Sequence, residues 1–272
     1  MIDLHAHYLP AIDDGPKDMD QSLAMARLAV EDGITDVTVT PHHLNGRYVT
    51  DADTVRSALA ELQEAVHEAG ISLRLHAGAE VHITPELPRG LADGSAMTVA
   101  DKGQAVLVEP PANNLPVGSE AILSECLVQG VTPLIAHPER CLALQRDLSP
   151  LRRWVEMGCV AQLTAQSLTG RFGSGAQEAG AAMLSEGLAH VIASDGHRPY
   201  GRTPCMAEAR AAVAEWLGEK VADELTATVP AALLAGEMPD IRGFKRDLGA
   251  ALPQRKARRG AWWRRLLGLS RR

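Results

Sequence analysis

Cysteine is scarce in this sequence. The four cysteines among 272 residues, Cys126, Cys141, Cys159 and Cys205, stand far apart and form no CxxC pair. Neither a disulfide framework nor a zinc ribbon is expected, and reduced thiols suit a cytoplasmic location. Long apolar stretches are missing too. No run of about 18 apolar residues occurs, which argues against a membrane-spanning helix. The opening MIDLHAHYLP has neither a basic n-region nor an apolar h-region, so no standard secretion signal is expected. Disorder does not fit either, because the chain is 46% hydrophobic with a net charge of only -7.

What is present is an unevenly charged chain, long enough for one α/β barrel. From 242 to 272 there are eleven Lys/Arg against one acid, Asp247, a local charge of +10. Residues 1–241 then carry -17. An acidic body argues against nucleic-acid binding by the globular part, and the basic tail points to a separate role. The expected organisation is therefore a barrel over 1–241 and a basic, tryptophan-containing tail over 242–272.

Short apolar runs alternate with amphipathic stretches. Strands are predicted at 2–5, 34–40, 71–77, 105–109, 131–136, 160–164 and 190–194. Helices are predicted at 18–32, with Met19, Leu23, Ala26 and Val30 on one face, and at 52–69, 119–129, 151–157, 177–186 and 203–216. Pro133 is an awkward residue for a strand interior. The repeated βα order predicts a parallel sheet, closed as a barrel or doubly wound.

Polar residues gather where these strands end. His5 and His7, then Asp13 and Asp14, follow the first strand; His42 and His43 follow the second; Glu80 and His82 follow the third. Glu109 ends the fourth, His137, Glu139 and Arg140 follow the fifth, and Asp195 and His197 follow the seventh. The sixth offers only Gln162 and Thr164. In a parallel barrel these ends share one face, where barrel active sites are built. Histidine and carboxylate without thiolate suit divalent Zn, Mn or Fe. Residues i and i+2 of a strand share a face, so His5 and His7 can reach one ion. Other histidines have plainer readings. His67 belongs on a solvated helix face, His76 and His190 have structural roles, and His82 is a neighbour of the site rather than a ligand. His43 is either a supporting or a surface residue. Asp13 or Asp14 could serve only to shape the turn before Gly15.

The motifs HAH (5–7), IDDGP (12–16), TPHH (40–43), GAEV (78–81), LVEPP (107–111), IAHPER (135–140), SLTGRFG (167–173) and ASDGH (193–197) resemble the PHP (polymerase and histidinol phosphatase) superfamily. More narrowly they resemble the bacterial manganese-dependent protein-tyrosine phosphatases of the CpsB/CapC/YwqE group. The resemblance runs in order from residue 2 to about 240. It implies a distorted (β/α)7, TIM-like barrel (the PHP fold) carrying three divalent ions, manganese first, with iron or zinc as alternatives. Carried over, His5, His7, Glu80 and Asp195 would hold the first ion. Glu80 as a bridge, with Glu109 and His137, would hold the second; Asp14, His42 and His197 would hold the third. Arg140 and Arg202 would grip the phosphate, with Arg47 a weaker candidate. The implied substrates are phosphotyrosine proteins, in particular bacterial tyrosine kinases that control capsule or exopolysaccharide synthesis. Three positions depart from the group: Ala6, Gly196 (where Ala is common) and Arg198 (where Asn is common).

The chemistry is consistent with that implication. A divalent ion lowers the pKa of coordinated water, and arginines suit bidentate contact with a phosphoryl group. A cysteine-based phosphatase needs an arginine six residues after its nucleophile, and no cysteine here has one. In the tail, Trp262, Trp263, Leu266, Leu267 and Leu269 fall on one arc of a helical wheel, opposite Arg264, Arg265, Arg271 and Arg272. That pattern reads as a membrane-surface contact or a dock for an acidic partner. Two other functions stay open on sequence alone: a small-molecule phosphatase, such as one for histidinol phosphate, and a non-catalytic membrane-associated binding module.

Overall fold

The computed structural model describes residues 1–43, 46–48, 50–239 and 241. The basic tail, with its tryptophans, lies outside the described residues. Every strand pairing in the fold is parallel. The strands are β1 (Ile2–Ala6), β2 (Asp36–Val39), β3 (His42–His43), β4 (Arg74–Ala77), β5 (Glu80–His82), β6 (Ala105–Glu109), β7 (Thr132–Ala136), β8 (Val160–Thr164) and β9 (Val191–Ala193). They run as β1-β2-β4 and as β3-β5-β6-β7-β8-β9.

These two sheets are parts of one wall. Asp36 faces Arg74 in the lower pair and His42 faces Glu80 in the upper one, so the same register continues through both. The wall is interrupted only at Thr40-Pro41 and Gly78-Ala79. Gly78 has a steric reason to be glycine: a Cβ there would lie 2.6 Å from Cγ2 of Thr38. Counting β2/β3 and β4/β5 as single broken strands leaves seven. The seam between the last and the first is closed by backbone bonds from Asp195 N–H to His5 O and from His7 N–H to Gly196 O, both 2.8 Å. Asp3 reinforces it, accepting from the Ser194 N–H at 2.9 Å and from the Ser194 hydroxyl at 2.5 Å. The result is the distorted seven-stranded, TIM-like barrel that the motif resemblance implied.

Strands β2, β7, β8 and β9 are buried along their whole length, as expected for a parallel sheet covered by helices. Pro133 fits because it is paired only with β6; the register with β8 begins at Leu134. Helices cover the outside, several with clear start signals. Asp18 and Asp51 cap the helices Met19–Glu31 and Ala52–Glu68 by accepting from the N–H groups of Gln21 and Thr54. The first of these helices buries Ser22, Met25, Ala26 and Ala29, so the face drawn through Met19, Leu23, Ala26 and Val30 holds fully only at Ala26. Met19, Leu23 and Val30 pack half-buried against the same core.

Candidate metal centre

The C-terminal strand ends bring together the nine residues that the motif resemblance implied as ligands. His5 lies in β1 and His7 just beyond it. His42 is in β3, Glu80 in β5, and Glu109 ends β6. His137 follows β7, and Asp195 and His197 follow β9. His137 and Asp195 adopt left-handed backbone conformations, with φ of 30° and 51°. Such strain in non-glycine residues is typical of positions held for function.

Glu80 is the hub. One of its carboxylate oxygens, Oε1, lies 2.9 Å from Nε2 of His137 and 3.3 Å from Nε2 of His5. The other, Oε2, lies 3.1 Å from Nδ1 of His42 and 3.5 Å from Nε2 of His7. Asp195 Oδ1 stands 3.4 Å from His5 Nε2, 3.6 Å from His7 Nε2 and 3.5 Å from His197 Nδ1. Asp14 Oδ1 is 3.5 Å from His42 Nε2 and 3.4 Å from His197 Nε2. Glu109 is within 3.9 Å of His42 and within 3.8 Å of His137.

Several of these atoms are buried yet lack a hydrogen-bond partner: Nε2 of His5 and His7, Nδ1 of His42 and Oδ1 of Asp14. Buried polar atoms are rarely left so. Orphaned nitrogens and carboxylate oxygens aimed at one another are what a cation would satisfy. Among the described residues, four groups have donor atoms close enough to hold an ion: His7–Asp14–His42–His197, His5–His7–Glu80, His5–His137–Asp195 and His42–Glu80–Glu109. They draw on the same nine residues but divide them differently from the three sets carried over from the resemblance. The residues therefore fit divalent ions.

Electrostatics supports the same reading. Burial opposes charge on Glu80, yet the imidazoles of His5, His137 and His7 hold its carboxyl well below the usual range. Asp195 is likewise buried, and His5, Arg140, Arg202 and His197 hold it low. Burial disfavours protonated His5 and His7. Glu80 and Asp195 still raise the first, and Asp13 and Glu80 raise the second well above its ordinary value. A proton and a cation would compete for the same imidazole nitrogens.

Two further side chains orient the HxH pair. Asp13 Oδ2 accepts from His7 Nδ1 at 2.6 Å and from the His42 N–H at 2.9 Å. Asp13 also shapes its turn by accepting from Gly15 N–H. Gln162 Oε1 lies 2.9 Å from His5 Nδ1. With Nδ1 engaged on each ring, Nε2 is the atom turned toward the carboxylates. Sequence reasoning left the sixth strand without a role; Gln162 supplies one from behind His5. Its signal was a polar side chain placed mid-strand in an otherwise apolar run.

Arg140 and Arg202 both ion-pair with Oδ2 of Asp195, Arg202 at 2.6 Å. Their side chains are 24% and 33% exposed, so solvent and substrate can reach them. Phe172 lies beneath both guanidiniums, its ring centre 4.5 Å from Cζ of Arg140 and 5.8 Å from Cζ of Arg202. Arg47 lies over the ring of Tyr48, which stacks on His42. Glu139 is no ligand. Fully buried, it accepts from the Thr164 N–H at 3.0 Å and the Ser167 hydroxyl at 2.7 Å, and burial raises its pKa. It clips the β7 turn to the end of β8.

The remaining histidines take the plainer roles. His67 is exposed. His76 pairs with Asp36, His190 accepts from the Ala161 N–H, and His82 lies 2.8 Å from Glu109. His43 is buried with Nε2 on the Ser95 carbonyl, so it is not a surface residue.

The chain is 36% identical over 197 residues to the tyrosine-protein phosphatase YwqE of Bacillus subtilis, covering 72% of this chain and 77% of that one. It is 28% identical over 243 residues to the tyrosine-protein phosphatase CpsB of Streptococcus pneumoniae, covering 88% and 100%. A solved structure described among those of YwqE and CpsB as unique metal-dependent tyrosine phosphatases superposes with a TM-score of 0.84 at 33% identity. That match covers 87% of this chain and 95% of the other. Residues 1–235 match the family model for capsular polysaccharide synthesis, CpsB/CapC, and the chain belongs to that family.

Proposed function

We propose that this protein is a metal-dependent protein-tyrosine phosphatase. It acts on phosphotyrosine proteins of capsule or exopolysaccharide synthesis, with tyrosine kinases the natural substrate class. The observation that carries this reading is the convergence of nine ligand-type side chains, several with orphaned donor atoms, beside two reachable arginines.

His5, His7, Glu80 and Asp195 would hold one ion, Glu80, Glu109 and His137 a second, and Asp14, His42 and His197 a third. Manganese is the first choice, with iron or zinc compatible with the same donors. When bound, such ions neutralise phosphoryl oxygens and bring the pKa of coordinated water toward neutrality. Arg140 and Arg202 receive the phosphate. Each guanidinium has five N–H donors, so it can bind phosphate while keeping its bond to Asp195. That shared carboxylate fixes the phosphate grip relative to the ligand cluster. A tyrosyl ester leaves as a phenolate of pKa about 10, a better leaving group than an alkoxide. The barrel over 1–241 carries the chemistry, and the tail over 242–272, at +10, suits an anionic membrane surface near such kinases. Among the described residues, no helix is long and apolar enough to cross a membrane.

The test is phosphate release by manganese-loaded protein from a tyrosine-phosphorylated peptide and from histidinol phosphate. Peptide turnover is expected, abolished by metal stripping and reduced about 10²–10³-fold in Arg140→Ala, the scale for losing one charge-stabilising donor. Preference for histidinol phosphate would move the protein to small-molecule chemistry. No turnover of either would leave a binding module.

A further inference from the structure

Phe172 stands out because nothing in the phosphatase chemistry calls for a phenyl ring at the arginine pair. Its placement is nonetheless strongly determined. Gly170 and Gly173, both left-handed at φ +84° and +87°, bracket Arg171-Phe172 and turn the chain sharply on either side. The turn is anchored from beneath. Arg171 N–H donates to Gln166 O at 2.9 Å, and the Gln177 side chain donates to Leu168 O at 3.0 Å. Glu139 ties Thr164 and Ser167, just upstream, to the same turn that carries Arg140. The ring and the arginine are thus set by one clip.

The ring lies against both guanidiniums and remains partly exposed. A phosphate seated on Arg140 and Arg202 therefore has an apolar, flat surface beside it. An aryl ester carries its own ring one bond from the ester oxygen and can pack on that surface. A seryl or other alkyl ester offers only a methylene there. Paired aromatic rings gain from offset or edge-on contact beyond simple burial.

We propose that Phe172 is a specificity-determining residue that selects aryl phosphates by packing against the substrate ring. The proposal rests on the phosphatase reading above and deepens it.

The experiment measures binding of two stable anions, phenylphosphonate and methylphosphonate, to metal-loaded protein by calorimetry. Both present the same phosphonate head, so intrinsic leaving-group reactivity plays no part. In the unaltered protein phenylphosphonate is expected to bind more tightly. Phe172→Leu should erase about five- to tenfold of that advantage while changing methylphosphonate affinity less than about twofold, and Phe172→Trp should retain it. Parallel weakening of both anions in Phe172→Leu would overturn the proposal, because the ring would then serve only to hold the arginines. An undiminished phenyl advantage would overturn it as well. Failure of the unaltered protein to hydrolyse a phosphotyrosine peptide would count instead against the phosphatase reading, since the anion comparison does not depend on turnover.

Discussion

Asp13 and Gln162 do similar work with different charge. Each fixes Nδ1 of one imidazole of the HxH pair so that Nε2 faces Glu80 and Asp195. Asp13 is ionic and also holds the His42 backbone, so its loss disturbs two ligand-type residues. Outer partners of this kind typically govern 10–100-fold in metal affinity. Asp13→Asn is expected to weaken manganese binding by about that factor, read as retained metal after dialysis against graded chelator, with the folded state checked by circular dichroism. Unchanged retention would show that His7 needs no such support. The sequence drew attention to the acidic pair 13–14 but could not separate the two, because adjacent residues differ only in which way each side chain points. Asp14 faces His42 and His197, whereas Asp13 faces backward to His7 and Gly15.

At the scale of elements, the strands most legible in the sequence were those whose own composition suffices. Strands β6 and β8 coincide with the predicted 105–109 and 160–164. The two-residue β3 and three-residue β5 were not legible as strands, because such short pieces exist only through pairing with distant neighbours. The face of Met19–Glu31 was legible in part: Ala26 is buried and Met19, Leu23 and Val30 pack half-buried against the core, but Ser22, Met25 and Ala29 are buried beside it. The Glu139 clip belongs to this scale as well. It joins the β7 and β8 ends by accepting from Thr164 and Ser167. Glu139→Ala would strand a buried N–H and a buried hydroxyl, at about 1–3 kcal/mol each when uncompensated. We expect a lower unfolding midpoint in denaturant and a weaker Arg140-dependent phosphate grip, with Glu139→Gln recovering most of both. Equal stability of the Ala variant would show that the two loops hold each other without the carboxylate.

For the whole molecule, pH reports on the barrel wall. His190 is fully buried, and its Nδ1 accepts from the Ala161 N–H at 3.1 Å, so that nitrogen carries no proton. Burial lowers its pKa from 6.5 to about 4. The unfolded chain therefore binds a proton that the folded chain refuses between those values, and stability falls as pH drops from 6.5 toward 4. The loss from this one group approaches about 3 kcal/mol at the acid end. Thermal melts of metal-stripped protein across this range should show the decline, and His190→Gln should flatten it. A decline of the same size in the variant would assign the acid sensitivity to other groups.

The seam between β9 and β1 also bears on how the protein is made. A ribosome releases His5 and His7 first, but the residues that complete their surroundings come last. Asp195 bonds to His5, and Gly196 to His7, only after the roughly 190 residues that separate them have followed. An emerging chain thus has no finished pocket with which to seize whatever metal is most abundant near the ribosome. Any ion that needs Asp195 beside His5 must therefore wait for a nearly complete barrel.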